Sequence, residues 1–252
     1  GLRGHASVRR AMRIDDVHMI RAEAGGRDAV VCLMEQEIPG TTVMLHTLGA
    51  GREAVFSPRE NAARIIFLCS GEVRAVQYGG VHDVPGMAVY IPLPNEEVRI
   101  CAAEDSMFIE LIRELSADEM AEIDSADLPY CLAYSDAKTY SEDCKSPKTI
   151  SRMLVPARLI PRFAMGGVET GGDDMVEQHS HPMLEQYFFG LPDNNCDVII
   201  DDICVPFGGN VLLHIPLGSE HGVLSRGTQK VNYLWLDFLL DSRGLEYMDS
   251  AH

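Results

Sequence analysis

The sequence predicts an all-β chain of two tandem barrels or sandwiches joined by a short helical connection. Three observations predict it. Short apolar stretches recur along the length with Gly, Pro, Asn and Asp between them, the pattern of antiparallel strands and turns. A weak internal repeat relates the two halves. A length of 252 residues accommodates two domains of about 100–150 residues each, and a 46% hydrophobic content suffices for a buried core.

The first copy is expected over residues 13–114, with strands at Val43–Leu48, Ala63–Cys69, Val73–Tyr78, Met87–Pro92 and Ser106–Ile112. Polar, acidic Leu115–Tyr140 breaks the pattern. Within it, Ser116 and Glu119 spell a capping box that opens a short helix: the Ser hydroxyl takes a free backbone N–H and the Glu carboxylate returns to the cap's own. The connection is expected over 115–150. The second copy, 151–252, has strands at Arg158–Met165, Leu184–Phe189, Cys196–Ile200, Asn210–Ile215 and Lys230–Leu239. The glycine-rich run Gly166–Gly172 lacks the lysine and spacing of a phosphate loop and is expected to be a flexible turn. The repeat lays Pro92 on Pro216 and Arg64–Leu68 on Glu185–Phe189, with nearly the same offset.

A net charge of −17 argues against a nucleic-acid partner, which would need a basic patch that the sequence lacks. No apolar run approaches the ~20 residues of a membrane span, and the start, Gly1–Arg13, reads as neither signal peptide nor anchor. The seven cysteines are odd in number and form no CxxC pair, so ribbon and thioredoxin readings lose support. Scattered thiols fit a reducing cytoplasm, most of them as small core residues.

The chemistry concentrates in Glu177–Gly190. In a regular strand alternate side chains share a face, so His179, His181 and Glu185 fall together and can occupy three corners of a coordination shell. His221 is expected to complete the set from another strand, with Pro216 and Gly218 bending the chain before it. Glu177 and Tyr187 are in phase with these ligands, which makes them candidate catalytic groups, a general base and a proton donor. His214 is out of phase and expected to be structural. Tyr233, Trp235 and Asp237 share the last strand, whose inward face the sequence leaves open.

HxH, Glu four residues on, then PxGxxH resembles the two-part motif of the cupin superfamily, here from His179 to Gly190 and from Gly209 to His221. The resemblance implies two double-stranded β-helix (jelly-roll) barrels with one metal in the C-terminal one, held by His179, His181, Glu185 and His221. It also implies pairing as a homodimer. By the repeat, Pro58, Glu60, Arg64 and Glu97 stand in the first copy where the ligands stand in the second. Proline cannot ligate and arginine repels a cation, so that copy is expected to be metal-free.

Imidazole and carboxylate donors suit one divalent transition metal, Mn, Fe, Zn, Ni or Co. Four protein ligands leave an open position for catalysis. The leading expectation is a Lewis-acid enzyme acting on a small-molecule substrate, a carboxylate or sugar derivative, as an isomerase, lyase or hydrolase. Ureidoglycine aminohydrolases are similar in architecture, although they commonly show Gln where His221 stands. The alternatives are an iron-dependent dioxygenase and a non-catalytic cupin that binds a small ligand.

Overall fold

The structure, a computed structural model, describes residues 17–23, 28–123, 127–142, 145–181 and 183–240. The ends of the outer domains drawn above, and Cys144, lie outside these residues. The first half contains β1 (Met19–Arg21), β2 (Val30–Glu35), β3 (Thr41–Leu48), β4 (Glu53–Phe56), β5 (Ala62–Ser70), β6 (Glu72–Gln77), β7 (Gly80–Pro85), β8 (Ala88–Ile91), β9 (Val98–Ala102) and β10 (Ser106–Glu114). The connection carries α1 (Ala117–Glu122), β11 (Tyr130–Ala133) and β12 (Lys138–Tyr140). The second half contains β13 (Ile150–Val155), β14 (Phe163–Gly171), β15 (Asp174–His179), β16 (Leu184–Gly190), β17 (Asn195–Ile200), β18 (Ile203–Gly208), β19 (Val211–Ile215), β20 (His221–Ser225) and β21 (Lys230–Leu239).

The first barrel packs a six-stranded sheet, β11-β8-β5-β10-β3-β2, against a four-stranded one, β4-β9-β6-β7. The second is built from β1-β19-β16-β21-β14-β13-β12 and the layer β15-β20-β17-β18. Three pairings cross the sequence-drawn bounds. β1 adds to β19 in the second barrel, and from the connection β11 adds to β8 in the first and β12 to β13 in the second.

Each barrel has its own interior, and a third cluster joins them. Ile66, Leu68, Tyr90 and Phe108 belong to the first interior; Leu184, Phe188, Ile215 and Trp235 belong to the second. The seam between barrels takes the opposite faces of the same strands: Ile65, Phe67 and Ile109 meet Tyr187, Phe189 and Leu236. Strands buried on both faces carry continuous apolar runs, so periodicity does not reveal which face is which.

The capping box forms as the sequence predicts: Ser116 accepts from the Glu119 N–H, and the Glu119 carboxylate accepts from the Ser116 N–H. Glu119 also receives Arg162 of the second barrel at 2.7 Å. That ion pair, followed by the cap, holds the carboxyl down at about 2.

Two expectations change. The glycine run is strand rather than turn, because β14 begins at Phe163, after the turns at 157–162, and extends to Gly171. Gly166 is needed there, since a Cβ at that position would overlap the Trp235 indole. Of the described cysteines only Cys69 and Cys196 are buried; Cys32 and Cys204 are exposed.

Candidate metal centre

The site lies where β15, β20 and the turn before β16 meet. β15 pairs with β20 through Val176↔Val223 and His179↔His221, so two residues on β15, Glu177 and Gln178, face the single residue Gly222. This is a bulge, which re-aims the side chains beyond it. Gly222 makes it possible, because a Cβ there would stand 2.5 Å from the Val176 carbonyl oxygen and 2.9 Å from the Gln178 nitrogen.

The bulge brings His179, His181 and His221 together, with ligand nitrogens all within 4.8 Å of one another. Their ring centroids lie 4.7, 4.6 and 5.4 Å apart. Two of the rings are oriented through their own backbone. His179 Nδ1 lies 2.9 Å from the Glu177 carbonyl oxygen, and His221 Nδ1 lies 3.4 Å from that of Ser219. A carbonyl only accepts, so each Nδ1 carries the proton and each Nε2 keeps its lone pair. His221 is buried, and burial, then the His179 and His181 rings, push its pKa down to about 3. The imidazole is therefore neutral at physiological pH, the form that binds metal. The donor chemistry of this cluster fits a divalent transition metal.

Glu185 does not join the three histidines. Leu184 and Phe188 face the second interior and Tyr187 and Phe189 the seam, so Glu185 turns with the seam residues. There its Oε1 lies 3.4 Å from His214 Nε2, while His214 Nδ1 meets Glu37 Oε1 at 3.0 Å. The sequence expectation for Glu185 assumed unbroken alternation from His181, which the turn between β15 and β16 interrupts.

The two proposed catalytic groups are also relocated. The Glu177 side chain is exposed at the bulge, and its carbonyl, not its carboxylate, serves the site. Tyr187 is fully buried in the seam, where its hydroxyl accepts from the Ile38 N–H at 3.0 Å. Burial pushes its phenol up to about 12. Neither is placed for proton transfer at the histidines.

The interior face of β16 instead presents Gln186, whose Nε2 donates to Asp237 Oδ1 at 2.6 Å. Phe188, two residues on, meets the His221 ring edge-on at 5.8 Å and stacks on Tyr233 at 4.5 Å. Tyr140 of the connection packs against this interior. Burial, then the charges of Glu142 and Asp237, raise its phenol well above the ordinary value. Sequence reasoning missed Gln186, Gly222 and Tyr140, and named Asp237 without assigning its face. Only Asp237, an acid inside the apolar run of β21, carried a signal.

In the first barrel, Pro58, Glu60 and Glu97 are exposed, and Glu97 pairs with Arg99 at 3.7 Å. Arg64 turns inward over the Phe56 ring and its Nε donates to Glu110 Oε2 at 2.5 Å. Laying the buried acids Glu110 and Asp237 on one another shifts the repeat by one residue. Ile66 pairs with Tyr90 and Glu110, as Gln186 pairs with Ile215 and Asp237. Gln186 therefore answers to Ile66, and Arg64 to Leu184 rather than Glu185.

No protein-family model and no curated protein matches the sequence. Solved structures match the fold. A cupin 2 conserved barrel domain protein from Leptotrichia buccalis is 14% identical, with a TM-score of 0.62 over 88% of this chain and 96% of that one. The oxalate decarboxylase of Lactobacillus farciminis, solved as a formate complex, is 14% identical, with a TM-score of 0.64 over 94% and 90%. Protein Ylba from E. coli is 14% identical, with a TM-score of 0.66 over 94% and 97%. With the strand order above, these likenesses show that the chain folds as a two-barrel cupin.

Proposed function

We propose that His179, His181 and His221 hold one divalent transition metal and that the protein is a metal-dependent enzyme acting on a small polar substrate of the carboxylate or sugar-derivative class. One observation carries the reading: three imidazoles converge, and two of them are fixed by backbone carbonyls with Nε2 unprotonated. Outer hydrogen bonds of this kind orient metal-bound histidines and raise their basicity. When bound, the ion supplies Lewis-acid polarisation of a substrate oxygen. The chain's own residues orient the ligand rings through Glu177 and Ser219 and cover the site with Phe188 and Tyr233. That a protein of similar fold was solved with formate supports a small carboxylate as substrate.

The free thiols Cys69 and Cys196 support a reducing, cytoplasmic setting. We carry forward the homodimer with β2, which ends its sheet with Val30 exposed, as the pairing edge. Light scattering on the purified protein checks it, and a monomer overturns it.

The central test is metal analysis of protein purified without chelator. Wild type is expected to carry one metal ion per chain, and His179→Ala with His221→Ala none. Equal trace metal in both would refute the reading. Turnover of small carboxylates that survives strict exclusion of oxygen supports the Lewis-acid enzyme; activity that needs oxygen and iron selects a dioxygenase.

A further inference from the structure

We propose that the Gln186 amide oxygen, oriented by Asp237, is the fourth metal-facing group of the second barrel, in place of Glu185. The proposal rests on the three-histidine reading above and names the group that completes it.

The argument begins with face. Gln186 lies between Leu184 and Phe188 on the interior side of β16, and the Phe188 ring touches His221. Gln186 is only 6% exposed. Its Nε2 donates to Asp237, and because a carboxylate only accepts, this bond fixes which end of the amide is which. The other end, Oε1, is fully covered and has no hydrogen-bond donor. An amide acceptor buried this way is destabilising unless something satisfies it. The Nε2 atoms of His179 and His221 are acceptors themselves, so a cation held by the histidine cluster is a partner that suits them and this oxygen alike. Ile66, the matching position of the first barrel, offers no such oxygen.

The consequence is electrostatic. Three imidazoles and one amide are all neutral, so a divalent ion in this site keeps its full charge toward the substrate. Such a centre favours an anionic oxygen donor, which a carboxylate supplies. A carboxylate ligand from Glu185 would have cancelled half of that charge.

The test uses Co²⁺ as an optical probe of coordination in the intact chain freed of metal. Wild type is expected to bind one Co²⁺. Gln186→Leu is expected to lose affinity by roughly tenfold or more and to change the intensity of the visible d–d bands as an oxygen ligand is lost. Gln186→Glu combined with Asp237→Asn, which keeps an amide donor across the 2.6 Å contact, is expected to bind Co²⁺ more tightly than wild type and serves if the Leu variant fails to fold. Asp237→Asn, as a change to a positioning residue, is expected to weaken binding by about tenfold. Glu185→Gln is expected to leave affinity and spectrum unchanged. If wild type binds Co²⁺ and the Gln186 variants match it in affinity and spectrum, or Glu185→Gln abolishes binding, this inference fails while the histidine reading stands. Absence of binding by wild type overturns both.

Discussion

Each barrel buries an acid on the last strand of its own half, Glu110 on β10 and Asp237 on β21, and the two are treated in opposite ways. In the first, Glu110 is enclosed by partners: His46 Nε2 at 2.8 Å and Arg64 Nε at 2.5 Å, with His46 stacked on Phe108. In the second, Asp237 meets the Gln186 amide, whose oxygen is left over. A closed network is complete within the protein and rigidifies its surroundings. An open one leaves a donor or cation to be supplied from outside. The comparison thus separates a barrel whose buried acid sits in a closed network from one whose network keeps an open acceptor, although the same fold holds both acids.

The sharpest way to break that contrast is to open the first barrel. Removing one partner of a buried charge pair costs about 3–5 kcal/mol, because the remaining charge is stranded. Arg64→Leu is therefore expected to lose stability on that scale in urea unfolding. Adding Glu110→Leu should recover part of the loss. A single-variant loss below about 1 kcal/mol would mean that the network is not what holds this barrel.

Acid should reach the two barrels at different points. The folded pKa of His221, about 3, lies below its ordinary 6.5, so the unfolded chain binds the extra proton between those values. In the metal-free protein, stability is full above 6.5 and falls as the pH drops toward 3, by at most about 1.4 kcal/mol per pH unit for one proton. In the first barrel, burial would raise the Glu110 carboxyl, but His46 and Arg64 outweigh it and hold it below its ordinary 4.5. Its contribution is lost only as the pH falls past 4.5. The single tryptophan, Trp235, lies in the second interior and reports on that barrel. Between pH 6.5 and 4.5 its melting midpoint should fall in wild type and fall less in His221→Gln. Equal pH dependence in the two proteins would remove His221 as the cause.

The sequence made the strands, the capping box and the three histidines legible, because each rests on local chemistry. The site's fourth group was not legible, for a reason that runs through the whole molecule. A shift of one residue exchanges the two faces of a strand. Glu177 and Gln178 form a bulge, and the turn after His181 resets the alternation, so counting from His179 reaches Glu185 when the interior residue is Gln186. The same one-residue error entered the repeat, laying Arg64 on Glu185, whereas superposing the buried acids Glu110 and Asp237 through their ladders lays it on Leu184. Both faces of β16 are buried, so hydrophobicity offered no correction.

The smallest expected effect concerns the seam that joins the barrels. Tyr187 reads from the sequence as a proton donor at the metal, yet its hydroxyl receives the N–H of Ile38 and lies 3.4 Å from Thr41 Oγ1, both in the first half. Tyr187→Phe keeps the ring and its packing against Phe238 but leaves that buried N–H without its acceptor, at a cost of about 1–2 kcal/mol. Metal affinity should be unchanged, because the hydroxyl faces away from the histidines. Unfolding followed by Trp235 fluorescence should therefore shift while a Co²⁺ titration does not. The opposite pattern, with stability intact and metal binding altered, would return Tyr187 to the site and undo the face assignment that also selects Gln186.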